Sequence, residues 1–132
     1  MAVDLEMPVL VVEDSQTMGQ IIRNLLKLIG FKQVDNAVGG AAALAKLRGG
    51  GYGLVISDWN MQPVTGLMLL KEVRADPALG RLPFIMVTAE ASLANVTAAK
   101  EAGVSNYIVK PFTAKTLKDK ISEACNSDFA IS

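Results

Sequence analysis

Five polar side chains stand next to short apolar segments and have the chemistry of a phosphoryl-transfer site. Glu13 and Asp14 follow the run VLVV, Asp58 follows LVIS, Thr88 ends FIMVT and Lys110 follows NYIV. Carboxylate oxygens are ligands that Mg²⁺ prefers, and an aspartate can form an acyl phosphate as a nucleophile. A hydroxyl and an ammonium group can donate hydrogen bonds to phosphate oxygens. These residue types therefore indicate a magnesium-assisted phosphoacceptor with Asp58 as nucleophile.

Apolar runs rich in valine and isoleucine predict the strands that must position these side chains. The predicted strands are Pro8–Glu13, Val34–Ala37, Leu54–Ser57, Phe84–Thr88 and Asn106–Val109. Because these strands alternate with helical segments, we expect an α/β fold, a (βα)5 doubly wound parallel sheet of five buried strands. The carboxyl ends of its strands would lie on one edge, where open α/β sheets bind ligands.

Apolar residues at helical spacing fill the segments between the strands. The predicted stripes are Met18, Ile21, Ile22, Leu25, Leu26 and Ile29; Ala41, Leu44 and Leu47; Leu67, Leu70 and Val73; and Leu117, Ile121 and Ala124. The stretch 92–102 is rich in alanine, and its only large apolar side chains are Leu93 and Val96.

Glu13, Asp14 and Asp58 would converge if the first and third strands are neighbours. Two like charges about 4 Å apart repel by roughly 4 kcal/mol at an effective dielectric constant near 20. One lysine does not balance three carboxylates, so either a carboxylate takes up a proton or a cation binds. Structural alternatives remain: Asp14 or Ser15 could cap the following helix, and Lys110 could be a counterion only.

Composition restricts the class of protein. The 132 residues suit one domain over 1–132 with a core at about 8–125, and 13 basic and 13 acidic residues argue against nucleic-acid binding. Histidine is absent and Cys125 is the only cysteine, which excludes histidine chemistry and internal disulfides. No segment is apolar enough to cross a membrane, and the acidic N-terminus is unlike a signal peptide. We expect a cytoplasmic protein with a frayed tail after Cys125.

Four segments carry a resemblance to a known family. VLVVEDSQTM, SDWNMQPVTGLMLLKEVR, PFIMVTAE and AGVSNYIVKPFT closely resemble the receiver domains of two-component response regulators, particularly the single-domain chemotaxis regulators. The resemblance runs from about residue 8 to 125. It implies the flavodoxin-like strand order 2-1-3-4-5, a monomer, and phosphorylation by a CheA-like histidine kinase. It also implies no enzymatic activity beyond the protein's own phosphorylation and dephosphorylation.

The same resemblance assigns roles to individual residues. Asp58 would be phosphorylated, with Mg²⁺ held by Glu13, Asp14, Asp58 and Asn60. The phosphoryl oxygens would contact Thr88, Ala89 and Lys110, and Lys110–Pro111 would be a cis peptide. Thr88 and Tyr107 would form a switch pair, while Asn60 and Glu90 would tune hydrolysis. The partner-binding face would contain Ala91, Leu93, Tyr107, Val109 and Lys120.

Two departures bear on the output of such a protein. Pro63 falls one residue later than is usual in the family, and Leu93 makes the partner face more apolar than in the chemotaxis regulators. Because no output domain follows in this sequence, the resemblance implies a separate output protein. A flagellar motor switch component is the first expectation, a phosphatase is a further partner, and a phosphate sink or relay intermediate is the alternative.

Two other classes of protein fit the sequence less well. A magnesium-dependent phosphatase with an aspartyl intermediate usually has a second acid two residues after its nucleophile, where this chain has Asn60. A flavodoxin-like carrier needs a phosphate-binding loop, and the glycines at 49–51 do not follow a strand and open a helix in the order that such a loop requires.

Overall fold

Strands and helices alternate along the chain in a computed structural model that describes residues 3–90 and 92–126. The strands are β1 Val9–Val12, β2 Val34–Ala37, β3 Leu54–Asp58, β4 Phe84–Thr88 and β5 Asn106–Val109. The helices are α1 Gln16–Ile29, α2 Gly40–Arg48, α3 Gly66–Ala75, α4 Leu93–Glu101 and α5 Ala114–Cys125. All strand pairs are parallel, in the order β2-β1-β3-β4-β5. The predicted fold and strand order are confirmed. Ala91 and the predicted frayed tail from residue 127 onward lie outside the described residues.

Strand register brings the polar strand ends together. Val12 of β1 lies opposite Ser57 of β3, so Glu13 and Asp58 come next along neighbouring strands. The pairing of β3 with β4 places Asp58 opposite Val87, one residue before Thr88. The sheet therefore assembles the site at its carboxyl edge, where the sequence predicts it.

The three central strands are buried on both faces, but the two edge strands are not. Every residue of β1, β3 and β4 is buried, whereas Asp35 of β2 and Val109 of β5 are exposed. The expectation of five buried strands is therefore wrong for β2 and β5, because an edge strand has one neighbour and less helical cover. Side chains of the central strands alternate between two apolar clusters, one on each side of the sheet.

Hydroxyl side chains begin four of the helices. Ser15, Thr65, Ser92 and Thr113 each accept a hydrogen bond from the backbone N–H three residues later. Ser15 is thus the N-cap of α1, which settles the alternative that Asp14 is the cap. The Asp14 carboxylate is not needed to begin the helix.

The face that α2 turns to the core differs from its predicted stripe. Ala43 and Leu47 are buried, whereas Ala41 is exposed and Leu44 is partly buried. The helix begins at Gly40, which packs closely against Val64. Gly40, Ala43 and Leu47 follow the i, i+3, i+7 spacing of one helix face, and this face is the buried one.

Gly66, the first residue of α3, supports the backbone that follows Asp58. Its N–H donates to the Trp59 carbonyl at 3.0 Å, and a Cβ at this position would overlap the Asp58 carbonyl oxygen and come within 2.8 Å of Met86 Sδ. We expect Gly66→Ala to lower the free energy of unfolding by about 1–3 kcal/mol through overpacking. Urea denaturation measures this loss. Gly80→Ala is the control, and equal losses in both variants would contradict the steric argument.

Candidate functional site

Three carboxylates lie together at the carboxyl edge of the sheet. One oxygen from each of Glu13, Asp14 and Asp58 lies within 4.8 Å of the other two. Glu13 and Asp58 are only 2% and 4% exposed, while Asp14 faces solvent. The predicted convergence of these three acids is therefore present in the structure.

Lys110 is the cation that faces this acidic cluster. Its Nζ lies 3.0 Å from Asp58 Oδ1 and 3.5 Å from Glu13 Oε2. The Lys110–Pro111 peptide that follows is cis, as predicted, and so is Gln62–Pro63. One ammonium group against three carboxylates leaves the cluster negatively charged, so it retains attraction for a further cation.

The crowding of carboxylates in this buried site changes the pKa of Glu13. Burial, and after it the charge of Asp58, raises the pKa of Glu13 to about 7. The Ser15 N–H, which donates to Glu13 Oε1 at 3.2 Å, and the Lys110 ammonium oppose that rise. A carboxylate that takes up a proton this readily is destabilised as an anion, and a divalent cation would relieve the same repulsion.

Removing the charge of Glu13 is expected to stabilise the metal-free protein. The folded state holds the Glu13 proton up to about pH 7, whereas the unfolded chain releases it near 4.5. The anion's destabilisation is therefore full above pH 7 and disappears toward pH 4.5. We expect Glu13→Gln to raise the free energy of unfolding by about 1–3 kcal/mol at pH 8 in a chelator, and by less at pH 5. Denaturation at both pH values measures this, and a loss of stability at pH 8 would contradict it.

Thr88 and Tyr107, the predicted switch pair, meet at the backbone of Glu90. The buried Thr88 hydroxyl accepts a hydrogen bond from the Glu90 N–H at 3.1 Å, and the half-buried Tyr107 hydroxyl donates to the Glu90 carbonyl at 2.6 Å. Sequence reasoning missed this link because both bonds go to main-chain atoms, which any residue except proline would supply at position 90. A movement of either side chain would change how the loop before α4 is held.

The other predicted site residues lie in loops at the same edge or on the neighbouring face. Asn60, Ala89 and Glu90 are exposed in the loops that follow β3 and β4. Trp59 is partly buried beside Asp58, and its backbone N–H donates to the Val87 carbonyl at 2.9 Å. The roles assigned to these residues remain predictions.

The predicted partner face is formed by α4, β5 and α5. Leu93 is 82% exposed and Val109 is 40% exposed, while Tyr107 and Lys120 are partly buried. Ala91, predicted for the same face, lies outside the described residues.

Comparison with known proteins identifies the family. The family described as "Response regulator receiver domain" matches residues 9–122. The chain belongs to this family. Among curated relatives, the receiver is 47% identical over 117 residues to chemotaxis protein CheY of Pseudomonas aeruginosa, covering 89% of this chain and 94% of that protein. It is 46% identical over 117 residues to chemotaxis protein CheY-3 of Vibrio cholerae, covering 89% and 90%. It is a two-component response regulator receiver, as the sequence predicts.

Solved structures agree with this assignment. The receiver superposes on Vibrio cholerae chemotaxis protein CheY4 with a TM-score of 0.84 at 32% identity, covering 90% of this chain and 98% of that chain. A putative response regulator from Chloroflexus aurantiacus gives a TM-score of 0.86 at 27% identity, covering 92% and 98%. Among the described residues, no helix is both long and apolar enough to cross a membrane.

Proposed function

We propose that this receiver is a phosphorylation switch in which Asp58 accepts a phosphoryl group from a histidine kinase. The observation that carries the proposal is the Asp58 carboxylate at the end of β3, buried and 3.0 Å from Lys110 Nζ, within 4.8 Å of two further acids. A buried carboxylate among other carboxylates is unfavourable for stability alone. A role in accepting phosphate gives a reason for the arrangement.

The donor set suits Mg²⁺ as cofactor. Glu13, Asp14 and Asp58 would hold the ion together with the backbone carbonyl of Asn60, since oxygen ligands and a negative net charge are what this hard cation prefers. When bound, Mg²⁺ supplies neutralisation of the negative charge on the phosphoryl group.

The chain's own residues perform the transfer. A carboxylate oxygen of Asp58 attacks phosphorus, the P–N bond of the donor phosphohistidine breaks, and its electron pair returns to the imidazole. Lys110 then donates to a phosphoryl oxygen in place of the Asp58 oxygen it now contacts, and the Thr88 hydroxyl turns toward another. Ala89 lines the phosphate, and Asn60 and Glu90 flank the path of the hydrolytic water and set the lifetime of the phosphoaspartate.

The output is a change in affinity at the partner face. When the Thr88 hydroxyl turns toward the phosphoryl group, its hydrogen bond from the Glu90 N–H would break. This would release the loop before α4, and Tyr107 would turn inward. The curated relatives are named as chemotaxis proteins, which supports control of the flagellar motor through a motor switch component. The receiver works in the cytoplasm. It is not an enzyme toward other substrates, since Asn60 stands where an aspartyl phosphatase has its second acid.

Phosphotransfer from a purified chemotaxis kinase carrying phosphohistidine tests this function. We expect the receiver to take up close to one equivalent of phosphoryl group in the presence of Mg²⁺ and then to bind the flagellar switch protein more tightly. Kinase without phosphohistidine is the control. Continued turnover of a small phosphate ester would instead support a phosphatase, and phosphorylation without a gain in partner binding would support a phosphate sink.

Trp59 gives an independent test of the metal site. We expect Mg²⁺ to quench or shift Trp59 fluorescence, and Asp14→Asn to require at least about tenfold more Mg²⁺ for the same change, since losing a direct ligand costs no less than losing a group that supports one. Asp119→Asn, which removes an exposed carboxylate of α5 paired with Lys115, should titrate like the wild type. Equal titrations of wild type and Asp14→Asn would contradict the assignment of Asp14 as a ligand.

A further inference from the structure

Arg74, near the end of α3, holds backbone from two separate loops. Its Nε donates to the Gly103 carbonyl at 2.8 Å, and its Nη1 donates to the carbonyls of Leu82 at 2.6 Å and Gly80 at 3.4 Å. Its Nη2 donates to Ser105 Oγ at 3.2 Å. One guanidinium group therefore joins α3 to the loop before β4 and to the turn after α4.

The network extends to Phe84, the first residue of β4, through Ser105, which immediately precedes β5. Ser105 Oγ, which accepts from Arg74, also accepts from the Phe84 N–H at 2.9 Å. Within residues 3–90 and 92–126, no carboxylate forms an ion pair with Arg74. Its charge therefore strengthens hydrogen bonds to main-chain carbonyls, which are stronger than bonds between neutral groups.

Helix α4 is otherwise weakly attached. Ala99 is its only buried residue in the described chain, and Leu93 at its N-terminal end is 82% exposed. The loop before that end is held by the two Glu90 backbone bonds to Thr88 and Tyr107.

The turn after the C-terminal end of α4 is held by Arg74, by the Ser105 N–H, which donates to the Phe84 carbonyl at 2.9 Å, and by packing of Ala102 and Val104 on the core. The N-terminal end is held by the switch pair.

We propose that Arg74 is the hinge anchor of α4: activation displaces the N-terminal end of the helix while the turn at Gly103 stays fixed to α3. The inference rests on the proposed function, because the Thr88 hydroxyl leaves the Glu90 N–H only when it turns toward a phosphoryl group. It goes beyond that function because it says which end of α4 stays fixed during activation, and it assigns that role to Arg74, which lies away from Asp58 and contacts the turn after α4.

Hydrogen exchange of the full chain, with and without beryllium fluoride and Mg²⁺, tests the hinge. We expect exchange to change in residues 92–97 and to stay constant in residues 102–105 of the wild type. Equal changes in both segments would overturn the proposal. A wild type whose Trp59 fluorescence and exchange do not respond to beryllium fluoride would overturn the proposed function, and the hinge with it, so the two failures are distinguishable.

Variants at position 74 identify the anchor. Arg74→Met should exchange about tenfold faster at residues 102–105, since several hydrogen bonds to a charged group are lost, and the response to beryllium fluoride should spread into that segment. Arg74→Lys should restore part of the protection, and exposed Arg81→Met is the matched control. If Arg74→Met does not fold, hydrogen exchange of residues 102–105 in the wild type and in Arg74→Lys tests the proposal instead. A wild-type exchange pattern in a folded Arg74→Met, or in Arg74→Lys, would show that Arg74 is not the anchor.

Discussion

Asp58→Asn is expected to abolish phosphoryl uptake from acetyl phosphate, because an amide oxygen cannot form the acyl phosphate that a carboxylate forms. The variant should still fold, since the substitution removes one negative charge from a cluster that holds three carboxylates and one ammonium group. Intact-mass measurement after incubation with acetyl phosphate and Mg²⁺ checks the prediction.

The matched control is Asp35→Asn. Asp35 is an exposed acid of β2 that accepts a hydrogen bond from the Tyr52 hydroxyl at 2.6 Å, away from the acidic cluster. This variant should gain one phosphoryl group as the wild type does. Uptake by Asp58→Asn at the wild-type rate would refute the assignment of the nucleophile.

Lys110→Met is expected to slow phosphorylation by about 10²–10³-fold, the effect of removing one preorganised donor from a developing negative charge. Lys110 Nζ already lies 3.0 Å from the Asp58 oxygen, so little rearrangement is needed for it to reach a phosphoryl oxygen. The rate of Trp59 fluorescence change on adding acetyl phosphate at fixed Mg²⁺ measures the loss.

The control for Lys110→Met is Lys115→Met, which removes a lysine paired with Asp119 on the surface of α5. Folding of both variants is checked by circular dichroism, because Lys110→Met leaves two buried carboxylates without their cation. A near-normal rate in folded Lys110→Met would support the simpler alternative, in which the lysine is a counterion only.

The strands and the polar residues at their ends could be predicted from local signals, whereas the strand order, and with it the place of β3 beside β1, came from the family resemblance. Apolar runs mark the strands, and a parallel sheet brings their carboxyl ends to one edge, so Asp58 and Lys110 were found without coordinates. The burial of edge strands was predicted less well, since the exposure of Asp35 and Val109 depends on which strands have two neighbours.

Long-range contacts of the main chain could not be predicted. The Glu90 backbone joins Thr88 to Tyr107, and Arg74 reaches a carbonyl 29 residues away, yet neither contact requires a particular side chain at position 90 or 103. The raised pKa of Glu13 also needed the structure, because it depends mainly on burial. The types of side chain at the site can be read from the sequence, whereas the contacts and the burial that connect these side chains depend on the folded structure.

Reduction of the phosphorylated protein with borohydride, followed by peptide sequencing, tests the central claim most directly. An acyl phosphate is reduced to an alcohol, so a phosphorylated aspartate is converted to homoserine and its position can be read. We predict homoserine at position 58 and at no other aspartate, and only when Mg²⁺ is present during phosphorylation. Homoserine at Asp14 or elsewhere, or equal conversion of Asp58 in a chelator, would contradict the account.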